Sequence, residues 1–375
     1  MKKILKLFFL LKNIKFTFYR VNQNNILIFD EKGYETIKPF FKGKKHLILK
    51  SRGEEINLYI IFKILFDLKS INYISYINKY IEIVNPKYIF HHSVNHRFFF
   101  IKKNFPRLKT IFIQSEFIHK TEIIKFKKSG FCDYALLWGK QDLTNFKNIS
   151  RKSILIGSVL NNYNNEKKIE KYKNSILFIS QFRENKNNYF QTNTGKIFKY
   201  ENFMKADRFG FEVFLNYCKL RKKKLYVLFA TRTKAKIKKE IEFYKNKKTN
   251  NLIFLKSTKK HYGYKVTQYF NKIFFVNSTL GFECLARNKK CFFLNVRNRF
   301  LRFKYINFSI PKNGPNWCNS LDQKIIFNKI DKFMGLEDSQ IPKIYEKYFP
   351  NIIYYDKDNL KLKFFLNNIF KDISE

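Results

Sequence analysis

The stretch "KIFFVNSTLGFECLARNKKCFFLNV", residues 272–296, decides the fold. Its two apolar runs, 272–277 and 291–296, have the length of strands buried on both faces, and the segment 279–289 between them has the length of a connecting helix. Two such strands joined through a helix make a βαβ unit, which requires a parallel sheet. At the first junction stand Ser278 and Thr279, either of which caps the helix. Glu283 is not explained by capping. A capping box places its acid three residues after the cap, and those places hold Gly281 and Phe282. Glu283 lies four residues after Thr279 and shares its helix face.

The same alternation extends in both directions. Upstream, "ILIFD" (26–30), "HLILK" (46–50), "KYIFHH" (87–92), "KTIFIQ" (109–114), "YALLWG" (134–139) and "SILIGS" (153–158) read as strands, with longer amphipathic stretches such as 54–83 between several of them. The polar, aperiodic run "VLNNYNNEKKIEKYKN" (159–174) interrupts the pattern and reads as a connection. Strands then resume with "SILFISQF" (175–182), "LYVLFA" (225–230) and "NLIFLK" (251–256), separated by helical stretches at 201–221, 233–247 and 262–270. The expectation is an α/β protein of two Rossmann-like parallel-sheet domains facing a cleft. The first spans 1–158 and the second 175–320, joined by a linker at 159–174. The tail, 321–375, carries helices near 322–333 and 359–371 that close the two-domain structure.

A length of 375 residues with 45% hydrophobic content supports two ordinary domains. The formal charge of +46 would point to a polyanion if it were concentrated, but the lysines are spread along the chain beside Asn, Ile, Phe and Tyr. With no RNP-like aromatic strand, no glycine-lysine loop and no basic block, a role as a basic RNA-binding protein is disfavoured and no nucleic acid is expected. Attraction to an anionic membrane or a nucleotide diphosphate stays compatible with such a surface. The five cysteines are widely spaced, odd in number and without a CxxC pair, so they read as reduced cytosolic thiols. No Cys or acid stands at ligand spacing beside His91, His92 and His96, and no metal site is expected. The N-terminus "MKKILKLFFLLKNIKF" is too short in its apolar run to span a membrane. Ile4, Leu7, Phe8 and Leu11 fall at helical spacing among lysines, which fits a first helix packed on the core or one lying on the inner membrane face.

Ligands of open parallel sheets bind outside the strand C-terminal ends, so the loops there hold the candidate site. A helix start with open N–H groups, the hydroxyls of Ser278 and Thr279 and a glycine, Gly281, suits a phosphate. A carboxylate one turn inside, Glu283, suits the vicinal hydroxyls beyond that phosphate, as in a ribose. Gln181 and Arg183 follow the run "ILFIS" (176–180), and Thr231 and Arg232 follow the strand at 225–230; a guanidinium at either place neutralises a diphosphate leaving group without metal. On the first domain, Gln114, Glu116 and His119 follow one strand, and His91 and His92 follow another. Glu116 and His119 are candidates for the base that takes an acceptor hydroxyl proton.

"NSTLGFECLARNKKCFFLNVR", followed by "GPNWCN" (314–319), resembles the C-terminal-domain signature of bacterial surface carbohydrate (O-antigen and capsule) biosynthesis proteins of the GT-B glycosyltransferase type. The resemblance takes in "IFIQSEF" (111–117) and "ILFISQFRE" (176–184). It departs from the pattern at Gln114-Ser115-Glu116, where such proteins often read I-Q-N-G. It implies a glycosyltransferase with a nucleotide sugar as donor substrate, no cofactor, and a glycan or lipid-linked acceptor; no Asp-x-Asp pair follows a strand, so the transfer is expected to need no metal. The donor phosphates would meet Ser278, Thr279 and Gly281, and Glu283 would meet the ribose or sugar hydroxyls. Gln114 and His91 would fall on the acceptor side, and the protein would work in the cytoplasm, either free or at the inner face of the membrane. A sugar-nucleotide epimerase on the same scaffold is the rival enzyme, needing several catalytic acids and a histidine in the cleft, and this chain offers fewer in recognisable places.

Overall fold

The computed structural model describes residues 15–52, 55–163, 172–184, 188–191, 197–245, 250–301, 310–349 and 351–374. The amphipathic segment expected at residues 4–11 lies outside them, as does 164–171 within the expected linker.

Six strands form the first sheet: β1 (Ile26–Phe29), β2 (Leu47–Leu49), β3 (Tyr88–His91), β4 (Lys109–Ile113), β5 (Cys132–Leu137) and β6 (Ser150–Leu155). All pair in parallel, in the order β2-β1-β3-β4-β5-β6. Six more form the second: β7 (Ser175–Ile179), β8 (Lys224–Leu228), β9 (Leu252–Leu255), β10 (Lys272–Phe275), β11 (Lys290–Leu294) and β12 (Trp317–Cys318). These are also all parallel, in the order β9-β8-β7-β10-β11-β12. Strand order therefore reverses between β7 and β10, and at such a reversal the two flanking crossovers leave a crevice above the strand ends.

The apolar runs carry both faces of each sheet. In the first, Leu27, Phe29 and Ile89 enter one core while Ile26, Ile28 and Phe90 enter the other, as the two-residue strand period requires. The main helices are α1 (Leu58–Phe66), α2 (Tyr73–Val84), α3 (Lys120–Ser129), α4 (Lys140–Phe146), α5 (Tyr200–Leu220), α6 (Lys234–Tyr244), α7 (Tyr262–Thr267), α8 (Thr279–Ala286), α9 (Gln323–Met334), α10 (Gln340–Tyr348) and α11 (Leu360–Ser374). The stretch 54–83, read as one amphipathic unit, is in fact a short strand, Glu55–Asn57, followed by α1 and α2. Local chemistry divides it: the Asn57 side chain caps α1 by accepting from Tyr59 N at 3.0 Å, Leu68 turns into the left-handed region, and Asn72 caps α2.

The tail has one helix more than expected, α10, and its last helix returns to the first sheet. Leu362, Leu366, Ile369 and Phe370 of α11 are buried in the same core as Ile26, Ile28 and Phe90. On the way back the chain crosses the end of β6, where Gly157 has φ +69° and an added Cβ would meet Tyr354 O at 2.0 Å, so only glycine admits the crossing. The start of the polar run 159–174, read as a connection, is itself ordered and packed inside. Val159–Asn162 is a short helix with Asn161 and Asn162 fully buried, because the Asn162 amide donates to Ile156 O at 2.7 Å and to Asn359 Oδ1 at 2.9 Å.

Candidate functional site

Helix α8 begins where β10 ends, and Ser278 is its cap, accepting the Gly281 N–H at 3.4 Å. Above the reversal between β7 and β10 lies a cavity of about 490 Å³. Ser180, Gln181 and Arg183 reach it from β7, Thr231 and Arg232 from β8, Ser257 and Lys259 from β9, and Ser278, Thr279 and Glu283 from α8. A second cavity of about 200 Å³ adjoins the first-sheet strand ends, where Glu116, His119, Asp142 and Asn145 face Gln181, Arg183, Asn277 and Thr279 across the cleft. Gln181, Arg183 and Thr279 line both spaces, so the two are joined at the start of α8.

Several residues expected to face ligand are held otherwise. Gly281 lines neither cavity: its missing Cβ is what lets α8 sit on Phe275, whose ring carbons would lie 2.5 Å away. Gln114 is fully buried and acts as a strut, its Oε1 accepting Trp138 N at 2.8 Å and its Nε2 donating to Asp142 Oδ2 at 3.1 Å. His91 is a core residue, donating from Nδ1 to Phe29 O at 2.6 Å and stacked on Phe98 at 5.0 Å between centroids. Burial pushes its imidazole down to about 3, and that of His92, which bonds Ile113 O at 3.1 Å, down to about 4. Both are neutral and absent from the cavity walls. The acceptor-side places expected for His91 and Gln114 are therefore withdrawn.

Glu283 reaches the floor of the larger cavity but has no exposed surface. Its carboxylate accepts from the Tyr264 hydroxyl at 3.0 Å and from the Ser158 hydroxyl, and its backbone carbonyl accepts from the Asn161 amide at 2.9 Å. Ser158 and Asn161 follow β6, so this acid links α8 to the first sheet. Burial pushes its carboxyl up to about 7, against the two hydroxyl hydrogen bonds and the charge of Arg287. Phe117 adds an apolar contact across the same junction, meeting Phe282 at 6.0 Å and Trp138 at 5.3 Å.

Three buried groups near the walls, an acid, an ion pair and a second acid, escape sequence reading. Glu240 on α6 accepts from Ser180 Oγ at 2.5 Å, Ala230 N at 2.9 Å, Thr231 N at 3.0 Å and Thr231 Oγ1 at 2.5 Å, tying the loops after β7 and β8 together. Arg297 pairs with Asp207 at 2.6 Å, with both side chains about 1% exposed, and donates to Asn277 Oδ1 at 2.9 Å and Gln181 Oε1 at 3.1 Å. Asp142 is the third: burial pushes it up to about 6, against hydrogen bonds from Gln114, Gly139 and Asn145. Its signal, an acid in the first turn of a helix, is shared by many surface acids. Among the described residues no group of three or more His, Cys, Asp or Glu side chains is placed to hold a metal ion.

A family described as "putative O-antigen biosynthesis protein" matches residues 112–370. No curated protein matches the chain by sequence. Among solved structures, the UDP-GlcNAc 2-epimerase of Methanocaldococcus jannaschii in complex with UDP-GlcNAc and UDP is similar at 11% identity and TM-score 0.51, over 92% of this chain and 99% of that one. The UDP-GlcNAc 2-epimerase of Neisseria meningitidis bound to UDP-GlcNAc is similar at 8% identity and TM-score 0.51, over the same shares of each chain. The wall teichoic acid polymerase TagF is similar at 9% identity and TM-score 0.51, over 94% of this chain and 90% of that one. At such identities the likeness is one of fold, the GT-B arrangement of two Rossmann-like domains about a cleft.

Proposed function

The chain belongs to the family of O-antigen biosynthesis proteins matched over residues 112–370, and on that premise we propose that it is a glycosyltransferase, moving a sugar from a nucleotide sugar to a glycan or lipid-linked acceptor. The observation that carries this reading is the joining of the two cavities at Gln181, Arg183 and Thr279. A donor in the larger space places its diphosphate beside Arg232, Lys259 and the N–H groups opening α8. Its sugar then lies toward the smaller space, where the acceptor hydroxyl approaches from the first-sheet side. The similar structures bound to UDP-GlcNAc or UDP support a nucleotide-sugar ligand for this scaffold.

In the transfer, the bond from the anomeric carbon to the diphosphate oxygen breaks and the acceptor oxygen bonds that carbon. The leaving diphosphate keeps the electron pair, which the cations at the mouth of the second sheet stabilise without metal. In an inverting reaction the acceptor proton goes to a base on the first-domain wall. Glu116 and His119 are exposed there, and Asp142, held near 6 by burial, has an affinity for protons suited to the task near neutral pH. Glu283 holds Tyr264 at the floor of the larger space and ties it to Ser158 of the first domain.

The test is incubation of the purified chain with UDP-, GDP- and CMP-linked sugars and surface-glycan acceptors, with and without chelator. Acceptor-dependent release of free nucleotide that survives chelator is expected. Turnover restored only by Mg²⁺ or Mn²⁺ would remove the metal-independent step, and conversion of UDP-GlcNAc to its 2-epimer without acceptor would replace transfer by epimerisation.

A further inference from the structure

Helix α1 is apolar on two sides. Ile60 and Ile64 fill the core beneath it, whereas Phe62, Leu65 and Phe66, spaced three and four apart, form a second stripe facing solvent. Phe18, packed edge-to-face on Phe62 at 6.0 Å, extends the stripe on one side, and Leu68 and Ile71 of the loop after α1 extend it on the other. At its tip Phe66 is 81% and Leu68 95% exposed. Scattered single apolar residues are normal on a protein surface, but a contiguous one of this kind marks an interaction site.

Lys15, Arg20, Lys63 and Lys69 are exposed around this face. The acids nearby are already paired, Asp67 with Lys79, Glu82 with Lys79 at 2.8 Å, and Glu55 with Lys50 at 2.9 Å. The rim is therefore cationic. Among the described residues no helix is long and apolar enough to cross a membrane.

We propose that this face, centred on Phe62, Phe66 and Leu68, docks the protein on an anionic lipid surface, its apolar tip entering the acyl boundary while the rim cations meet the headgroups. Its shape and charge argue for that partner. The tip projects at a loop and is not a groove for a helix or a strand. A second copy seated on it would bring two like-charged rims together. The chain's own residues 1–14 carry four lysines and no acid, and so share the sign of the rim. This surface does not rest on the transfer reaction.

The test is co-sedimentation of the full chain with vesicles of phosphatidylglycerol mixed with phosphatidylethanolamine, and with vesicles of phosphatidylcholine alone. The wild type is expected to partition to the anionic vesicles. The double variant Phe66→Asp/Leu68→Asp should lose at least about tenfold in partitioning, with an unchanged melting temperature because both side chains are exposed. Lys63→Glu/Lys69→Glu should lower binding to the anionic vesicles alone, and Phe364→Asp, which removes a 70% exposed phenylalanine of α11, should leave it unchanged. A wild type that does not sediment with anionic vesicles overturns the proposal, as does an aspartate variant that binds as the wild type does. If light scattering shows a wild-type dimer that the same variant splits, the face belongs to a second copy instead.

Discussion

At the scale of single residues the site is held by charges that never meet solvent. Glu283 has its carboxyl raised from 4.5 to about 7, so the folded chain takes up this proton more readily than the unfolded one. The resulting stability is complete below about pH 4.5 and is lost as pH rises through 7. Glu283→Gln removes the titration and keeps partners for Tyr264 and Ser158. Between about pH 4.5 and 8 the wild type should therefore lose about 3 kcal/mol relative to this variant, at roughly 1.4 kcal/mol per pKa unit. Urea denaturation across that range measures it, and parallel profiles would refute it. Arg297 makes the opposite case. Arg297→Met leaves Asp207 charged and unpaired in the core and should cost about 3 to 5 kcal/mol, most of it recovered when Asp207→Leu is added. Neither partnership was legible in the sequence. Asp207 and Arg297 stand on α5 and after β11, and Glu283 meets Ser158 from the other sheet. No local spacing encodes a contact that only the fold creates.

At the scale of elements the sequence was far more open. The strand runs, the helix after β10 and its hydroxyl cap follow from periodicity and capping, because these depend on neighbours in the chain. What misled was the purpose of particular groups within those elements. Gly281 looked like an opening for phosphate and is instead the contact face of α8 on Phe275. Gly281→Ala should therefore destabilise by roughly 1 to 3 kcal/mol through overpacking and, by displacing α8, weaken nucleotide binding as well. Thermal melts with and without nucleotide separate the two effects. The loops after β7 and β8 depend likewise on α6. Glu240→Ala removes the acceptor of the Ala230 and Thr231 N–H groups; Ala230 is exposed and Thr231 half-buried, so water takes up part of the loss and the cost falls below the roughly 1 to 3 kcal/mol of a fully buried unsatisfied group. Hydrogen exchange at residues 230–231 should rise in this variant, and unchanged protection would show that the loops do not need the carboxylate.

At the scale of the whole molecule, tandem strand-helix alternation was enough to expect two parallel sheets about a cleft, and the β7–β10 reversal puts the larger cavity where such folds bind ligands. The junction was harder to read. The run 159–174 reads as a connection by its polar composition, and that composition does not reveal that Asn161 and Asn162 are buried, their amides serving Glu283, Ile156 and Asn359. Hydropathy cannot distinguish an asparagine in water from one whose hydrogen bonds are met inside. If the space above α8 binds the nucleotide of a sugar donor, thermal denaturation of the purified chain with UDP, GDP and CMP reads that binding out. One nucleotide should stabilise the fold by about 2.7 kcal/mol at a hundred times its dissociation constant, with a smaller shift in Arg232→Ala; a transition unmoved by every nucleotide, or moved equally in that variant, would show that no nucleotide binds there.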